Sequence, residues 1–120
     1  MVVASKLLFG NCRVRSYDWV GTTVHSSNED DPLRKVNSQY AELNQDVWKE
    51  TNQVWTLFPE NGNVHEMTAG KEGCAILDVI TPDYNGVDRC CTYFKEEPLH
   101  AKATARKLVP FHPDLYIETV

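Results

Sequence analysis

Gly73-Cys74-Ala75-Ile76-Leu77-Asp78-Val79-Ile80-Thr81-Pro82-Asp83-Tyr84 is the stretch that decides the fold. Seven of the eight residues from Cys74 to Thr81 are apolar or β-branched, with a glycine before them and a proline after. A run of that length and makeup predicts a strand buried on both faces. Asp78 stands in its middle, where a carboxylate is costly to desolvate unless hydrogen bonds or a countercharge meet it. Two readings of Asp78 stay open: a structural acid that anchors a turn, or a polar group facing a site inside a barrel.

Working outward, the flanking segments repeat the strand pattern. Val2 to Phe9 reads as a strand, Gly10-Asn11 as a turn, and Cys12 to Val20 as a second strand, together a hairpin. A strand that starts almost at the first residue has no lead-in, which suggests that something precedes it. Tyr40 to Glu50 allows either a helix or two short strands. Gln53 to Phe58 is a strand closed by Pro59 and the Asn61-Gly62 turn. Asn63 to Thr68 resumes as a strand, and Gly70 to Gly73 is a tight connection into the central run. Tyr84 to Asp88 is a turn and Arg89 to Phe94 a last strand. His100 to Val109 has helical tendency, and the acidic loop Ser26 to Arg34 is the segment expected to move most. Many short strands argue for a β-sandwich or barrel.

Composition bounds the function. The 120 residues allow one domain with a modest core, and 42% apolar and 24% charged residues are ordinary for a globular protein. With 12 basic against 17 acidic residues the net charge is −5, so neither nucleic acid nor an anionic membrane is an expected partner. Apolar runs of only about eight residues are too short to cross a bilayer. The apolar start lacks a basic lead and a cleavage site, so no secretion signal is expected. Cys12, Cys74, Cys90 and Cys91 show neither scaffold density nor a C-x-x-C pair, which fits a reducing cytoplasmic or nuclear setting.

Few residues advertise chemistry. His65 sits on a strand just after a turn, where an imidazole can point into a barrel or be a half-buried hydrogen-bonded residue. His25, His100 and His112 show no ligand spacing relative to it. Cys91 and Tyr93, two apart on the expected strand, share a face with Cα atoms about 7 Å apart, and either flank one site or pack together. Cys90 points the other way, and the vicinal pair reads as two small core residues.

These pieces together resemble a family. Ser5-Lys6-Leu7-Leu8-Phe9-Gly10, Val14-Arg15-Ser16-Tyr17-Asp18-Trp19, Asn63-Val64-His65, the Cys74–Tyr84 run and Asp88-Arg89-Cys90-Cys91-Thr92-Tyr93-Phe94 are similar, in order, to plant cysteine oxidases and their relative cysteamine (2-aminoethanethiol) dioxygenase. The resemblance covers roughly residues 1–95, with 96–120 as a divergent tail, and it implies a cupin, an all-β double-stranded β-helix holding one Fe(II) on three histidines. Such enzymes use O₂ to convert a thiol to a sulfinic acid. In the plant branch the thiol belongs to an N-terminal cysteine of a regulatory protein, so oxygen is reported through a degradation signal. Carried over by position, His65 resembles the third iron ligand, Asp78 and Tyr84 resemble polar residues on the substrate side, and Cys91 and Tyr93 resemble a cysteine–tyrosine pair that is joined covalently in some relatives.

The departures shape the expectation. Met1 aligns with the end of the His-x-His-Pro-Gly-Met stretch that carries the family's first two ligands, so the chain reads as the back part of the domain, incomplete at its N-terminal side. One extra residue lies between Gly70 and Gly73. A single imidazole cannot fix the geometry of a labile divalent ion, so the chain as given is expected to be inactive. Uncovered sheet edges would favour self-association. Two other readings remain: an inert cupin that acts, if at all, as an interaction module, and a small β-barrel ligand binder supported by fold alone.

Overall fold

The computed structural model describes residues 1–20, 39–97 and 105–111. They form six strands: β1 (Val2–Trp19), β2 (Gln39–Glu50), β3 (Val54–Leu57), β4 (Val64–Thr81), β5 (Tyr93–Glu97) and β6 (Ala105–Phe111). All pairings are antiparallel, in the order β3-β1-β2-β6-β5, with β4 on the other side of β1. No described residue is helical. The all-β expectation holds.

β1 and β4 have 18 residues each. Straight, each would run roughly 60 Å, longer than the 45 Å longest extent of the molecule. Both therefore bend. The bend falls where Gly10 (φ +73°) lies against Gly73 (φ +81°), and Thr51 Oγ1 donates to the Gly10 carbonyl at 3.0 Å. Positive φ suits glycine because it has no Cβ to clash. Register between β1 and β4 slips here, between Leu7 and Phe9 and again between Gly10 and Cys12.

The bend lays the two halves of the β1–β4 ribbon over one another. Val3 and Leu7 from the first half share one core with Cys12 and Val14 from the second, together with Trp55 and Leu57 of β3. Met67, Cys74, Ile76 and Ile80 of β4 close it. Asn63 Nδ2 donates to the Met1 carbonyl at 3.3 Å, which ties the two free ends together. β3 extends the first layer, while β2, β6 and β5 extend the second. A second cluster, Tyr17, Ala41 and Leu108 with Val64 and Phe94, packs at the open end.

Several expectations need correction. Gly10-Asn11 is a bend inside one strand rather than a hairpin turn, because both flanking segments pair with β4 and not with each other. Gly70 to Gly73 likewise lies within β4. Tyr40 to Glu50 is one strand. The stretch after residue 104 is β6, with Leu108 in the core, where helical tendency was expected. The Cys74–Thr81 run is covered on one face only: Leu77 and Val79 are 53% and 61% exposed, while Ile76 and Ile80 face the core. Arg89 to Thr92 precede β5 rather than forming its start, and Cys90 and Cys91 are exposed rather than core residues. The Ser26–Arg34 loop lies outside the described residues.

The core carries its own pH sensitivity. Burial, and then the neighbouring Cys74, push the Cys12 thiol from 9.0 to about 11. A raised folded value means that the folded state holds its proton where the unfolded chain has lost it, so stability falls as pH rises through that window. The urea midpoint is expected to drop between pH 9.0 and about 11, and Cys12→Val should flatten that drop. An unchanged slope in the variant would contradict it.

Candidate functional site

A cleft of about 620 Å³ opens between the two layers. Met1 and Val3 line it from the start of β1, and Tyr17 and Trp19 from its end. His65 and Glu66 come from β4, and Tyr84, Cys91, Tyr93 and Phe94 from the chain leading into β5. Trp19 and Phe94 meet edge to face, with ring centroids 5.2 Å apart at 68°, forming an apolar wall.

The segment after β4 is shaped by one side chain. Asn85 Oδ1 accepts the backbone N–H groups of Val87 (2.9 Å), Asp88 (3.1 Å) and Arg89 (3.1 Å), a self-satisfying turn that asparagine favours. Asp83 Oδ1 accepts the Tyr84 N–H at 2.8 Å, and Arg89 Nε donates to the Asp83 carbonyl at 2.8 Å. This folding brings Tyr84 back beside Cys91.

There the groups converge. Burial, then a hydrogen bond with the Cys91 thiol, push the Tyr84 phenol up to about 12, with the negative charges of Cys91, Tyr93 and Asp78 adding to the effect. A hydrogen bond with Cys91 likewise raises Tyr93. Tyr84, Cys91 and Tyr93 line the same cleft. Tyr17, which also lines the cleft, is raised by burial first.

His65 lies on the second residue of β4, in register with Ser16. Its Nδ1 is 2.8 Å from the Asn63 carbonyl, which can only accept, so Nδ1 carries the proton and Nε2 holds the lone pair of the neutral ring. Metal-binding histidines are oriented by this kind of bond. The described residues nevertheless do not fit a three-imidazole iron centre by themselves. Among them no three His, Cys, Asp or Glu side chains are grouped to hold a metal ion. His25, His100 and His112 lie outside the described residues.

Of the five residues singled out from sequence, His65, Tyr84, Cys91 and Tyr93 share the cleft. Asp78 does not line it. It stands on the first layer, its charge felt at Tyr84, and Ser5 Oγ donates to its Oδ1 at 2.6 Å. Sequence reasoning missed Ser5, Trp19 and Phe94. Trp19 and Phe94 could have been found as large apolar residues at strand ends beside polar neighbours. Nothing local marks Ser5.

The chain matches the PCO_ADO family over residues 1–111. It is 42% identical over 102 residues to plant cysteine oxidase 1 of Arabidopsis thaliana, covering 82% of this chain and 32% of that protein. It is 31% identical over 119 residues to a probable 2-aminoethanethiol dioxygenase of Dictyostelium discoideum, covering 98% of this chain and 50% of that protein. Similarity to plant cysteine oxidase 2 of Arabidopsis thaliana is 38% over 101 residues, 82% of this chain and 33% of the relative. The chain thus spans a third to a half of the length of these relatives.

Proposed function

The chain belongs to the PCO_ADO family, a cupin family, and from that premise we propose that its cleft serves a thiol dioxygenase reaction, R–SH + O₂ → R–SO₂H. The substrate is a cysteine at the N-terminus of a protein or peptide, or a small thiol such as cysteamine, and the output is a report on oxygen. The setting is cytoplasmic or nuclear. The convergence of His65, Tyr84, Cys91 and Tyr93 on one cleft is the observation that carries this reading.

The chain's own residues have separable tasks. Trp19 and Phe94 supply an apolar wall that sheds water from the thiol's surroundings. Tyr84, held protonated well beyond neutral pH, offers a hydroxyl to a polar group of the substrate. Fe(II) would supply a meeting point for thiol and O₂ when bound, with His65 as this chain's ligand. The other ligands are not assigned to described residues.

A second reading has its own observation. Because no three-donor group exists among the described residues, the chain can also be read as a non-catalytic cupin whose role is binding. Iron analysis after anaerobic loading separates the two. One iron per chain supports the enzyme and requires donors such as His25, His100 or His112; none supports the binder.

Within the enzymatic reading, Asp78→Asn keeps the fold and the iron content but lowers turnover by roughly 10²-fold, the scale of losing one preorganised polar group. Steady-state oxygen consumption with a cysteine-initiated peptide measures it. Full turnover in the variant would return Asp78 to a structural role.

A further inference from the structure

Between β3 and β4 the chain crosses from one layer to the other. β3 pairs with the first half of β1, from Val3 to Lys6, whereas β4 begins against the end of β1, with Val64 opposite Tyr17 and His65 opposite Ser16. The crossing closes on itself at Phe58 and Asn61, whose backbone groups exchange hydrogen bonds of 3.2 and 3.1 Å. That pair is local and does not itself fix where the crossing sits.

Asp18, next to last in β1, supplies the attachment. Its Oδ1 accepts the Gly62 N–H at 2.6 Å, and its Oδ2 accepts from Asn44 Nδ2. Gly62 is buried, and a buried N–H needs an acceptor; a carboxylate makes the stronger bond. Gly62 has φ +66°, and a Cβ there would stand 3.0 Å from Ser16 Oγ. The crossing is thus pressed against Ser16 and held there by Asp18.

Asn63 follows and lines the cleft. Its carbonyl, which accepts from His65 Nδ1 at 2.8 Å, lies one residue beyond Gly62. The oxygen that orients the ring therefore belongs to the backbone, and the hold on Gly62 sets its direction. His65 is exposed, so packing leaves the ring free to turn and this bond decides where it points.

We propose that Asp18 is a positioning residue: by holding the Gly62 N–H it fixes the Asn63 carbonyl, and with it the tautomer and direction of the His65 ring in the cleft. That this ring then holds iron rests on the thiol dioxygenase reading above; its orientation through Asp18 does not.

The test is NMR of the His65 ring nitrogens, with the ring neutral, in the whole chain and in its Asp18→Ala and Asp18→Asn variants. In the wild type the ring proton is expected on Nδ1, and the Gly62 amide is expected to exchange slowly with solvent. Asp18→Ala should redistribute the ring proton between Nδ1 and Nε2. Asp18→Asn keeps an oxygen for Gly62, and the Asn44 amide can turn to meet its NH₂, so the wild-type ring signals should return. A structural role alone would lower the denaturation midpoint of Asp18→Ala and leave the ring signals in place, which overturns the proposal. Ring signals in Asp18→Asn that match those of Asp18→Ala also overturn it. So does a wild-type ring protonated on Nε2, or a rapidly exchanging Gly62 amide, and neither result needs a variant that folds. In a version of the protein as long as its relatives, Asp18→Ala should also weaken Fe(II) binding about tenfold, the lower end for a group that orients a metal ligand. If that wild type takes up no Fe(II), the enzymatic reading fails, and the ring signals alone decide the positioning role.

Discussion

Gly10→Ala is expected to destabilise the chain by 3 kcal/mol or more, on the order of a core cavity mutation. Two costs combine. Gly10 has φ +73°, where a side chain costs roughly 1–2 kcal/mol. An added Cβ would also stand 2.1 Å from the Gly73 carbonyl oxygen and 3.1 Å from its carbon. Both are backbone atoms, so no rotamer relieves the clash. The two 18-residue strands must instead separate at their shared bend, which opens the core between the layers. Gly73→Ala is the control. It has φ +81° but nothing within 4 Å of the added Cβ, so only the conformational cost remains, about 1–2 kcal/mol. Urea denaturation of both variants gives the comparison. Equal losses would mean that the two glycines do not meet.

In a version of the protein as long as its relatives, His65→Ala is expected to remove iron binding and thiol oxidation together. Removing a side chain that only orients a ligand already costs about 10–100-fold in metal affinity, and losing an imidazole that holds the metal costs more. His65 is suited to that role by its bond to the Asn63 carbonyl, which leaves Nε2 as the ring's donor atom. The structural cost of the exchange is small because the ring is exposed. Iron content and the denaturation midpoint, measured on the same sample, separate the two effects. A variant that keeps its iron would remove His65 from the metal site.

Much of this was legible in the chain itself. Strand character from Gln53 to Phe58, closed by the Asn61-Gly62 turn and seen as β3 over Val54–Leu57, follows from β-branched and aromatic residues bounded by turn formers. The cleft residues came from motif order. The bends did not, because a glycine with positive φ serves a hairpin turn and a strand bend equally well. Only the partner decides: here β4 takes both halves of β1. Burial of the Cys74–Thr81 run was overread for a related reason. An apolar run does not say whether one face or two are covered, and among the described residues β4 pairs with β1 alone, leaving Leu77 and Val79 outward. Cys91 was placed on a strand by its β-forming neighbours, yet the Asn85 turn governs where that segment starts. Ser5 was invisible because its partner is 73 residues away.

The most direct measurement is mass spectrometry of a cysteine-initiated peptide after aerobic incubation with Fe(II) and a version of the protein as long as its relatives, alongside its His65→Ala variant. The account predicts that the peptide's first residue gains two oxygen atoms with the wild type and none with the variant. A peptide left unmodified by the wild type, or modified equally by both, would contradict it.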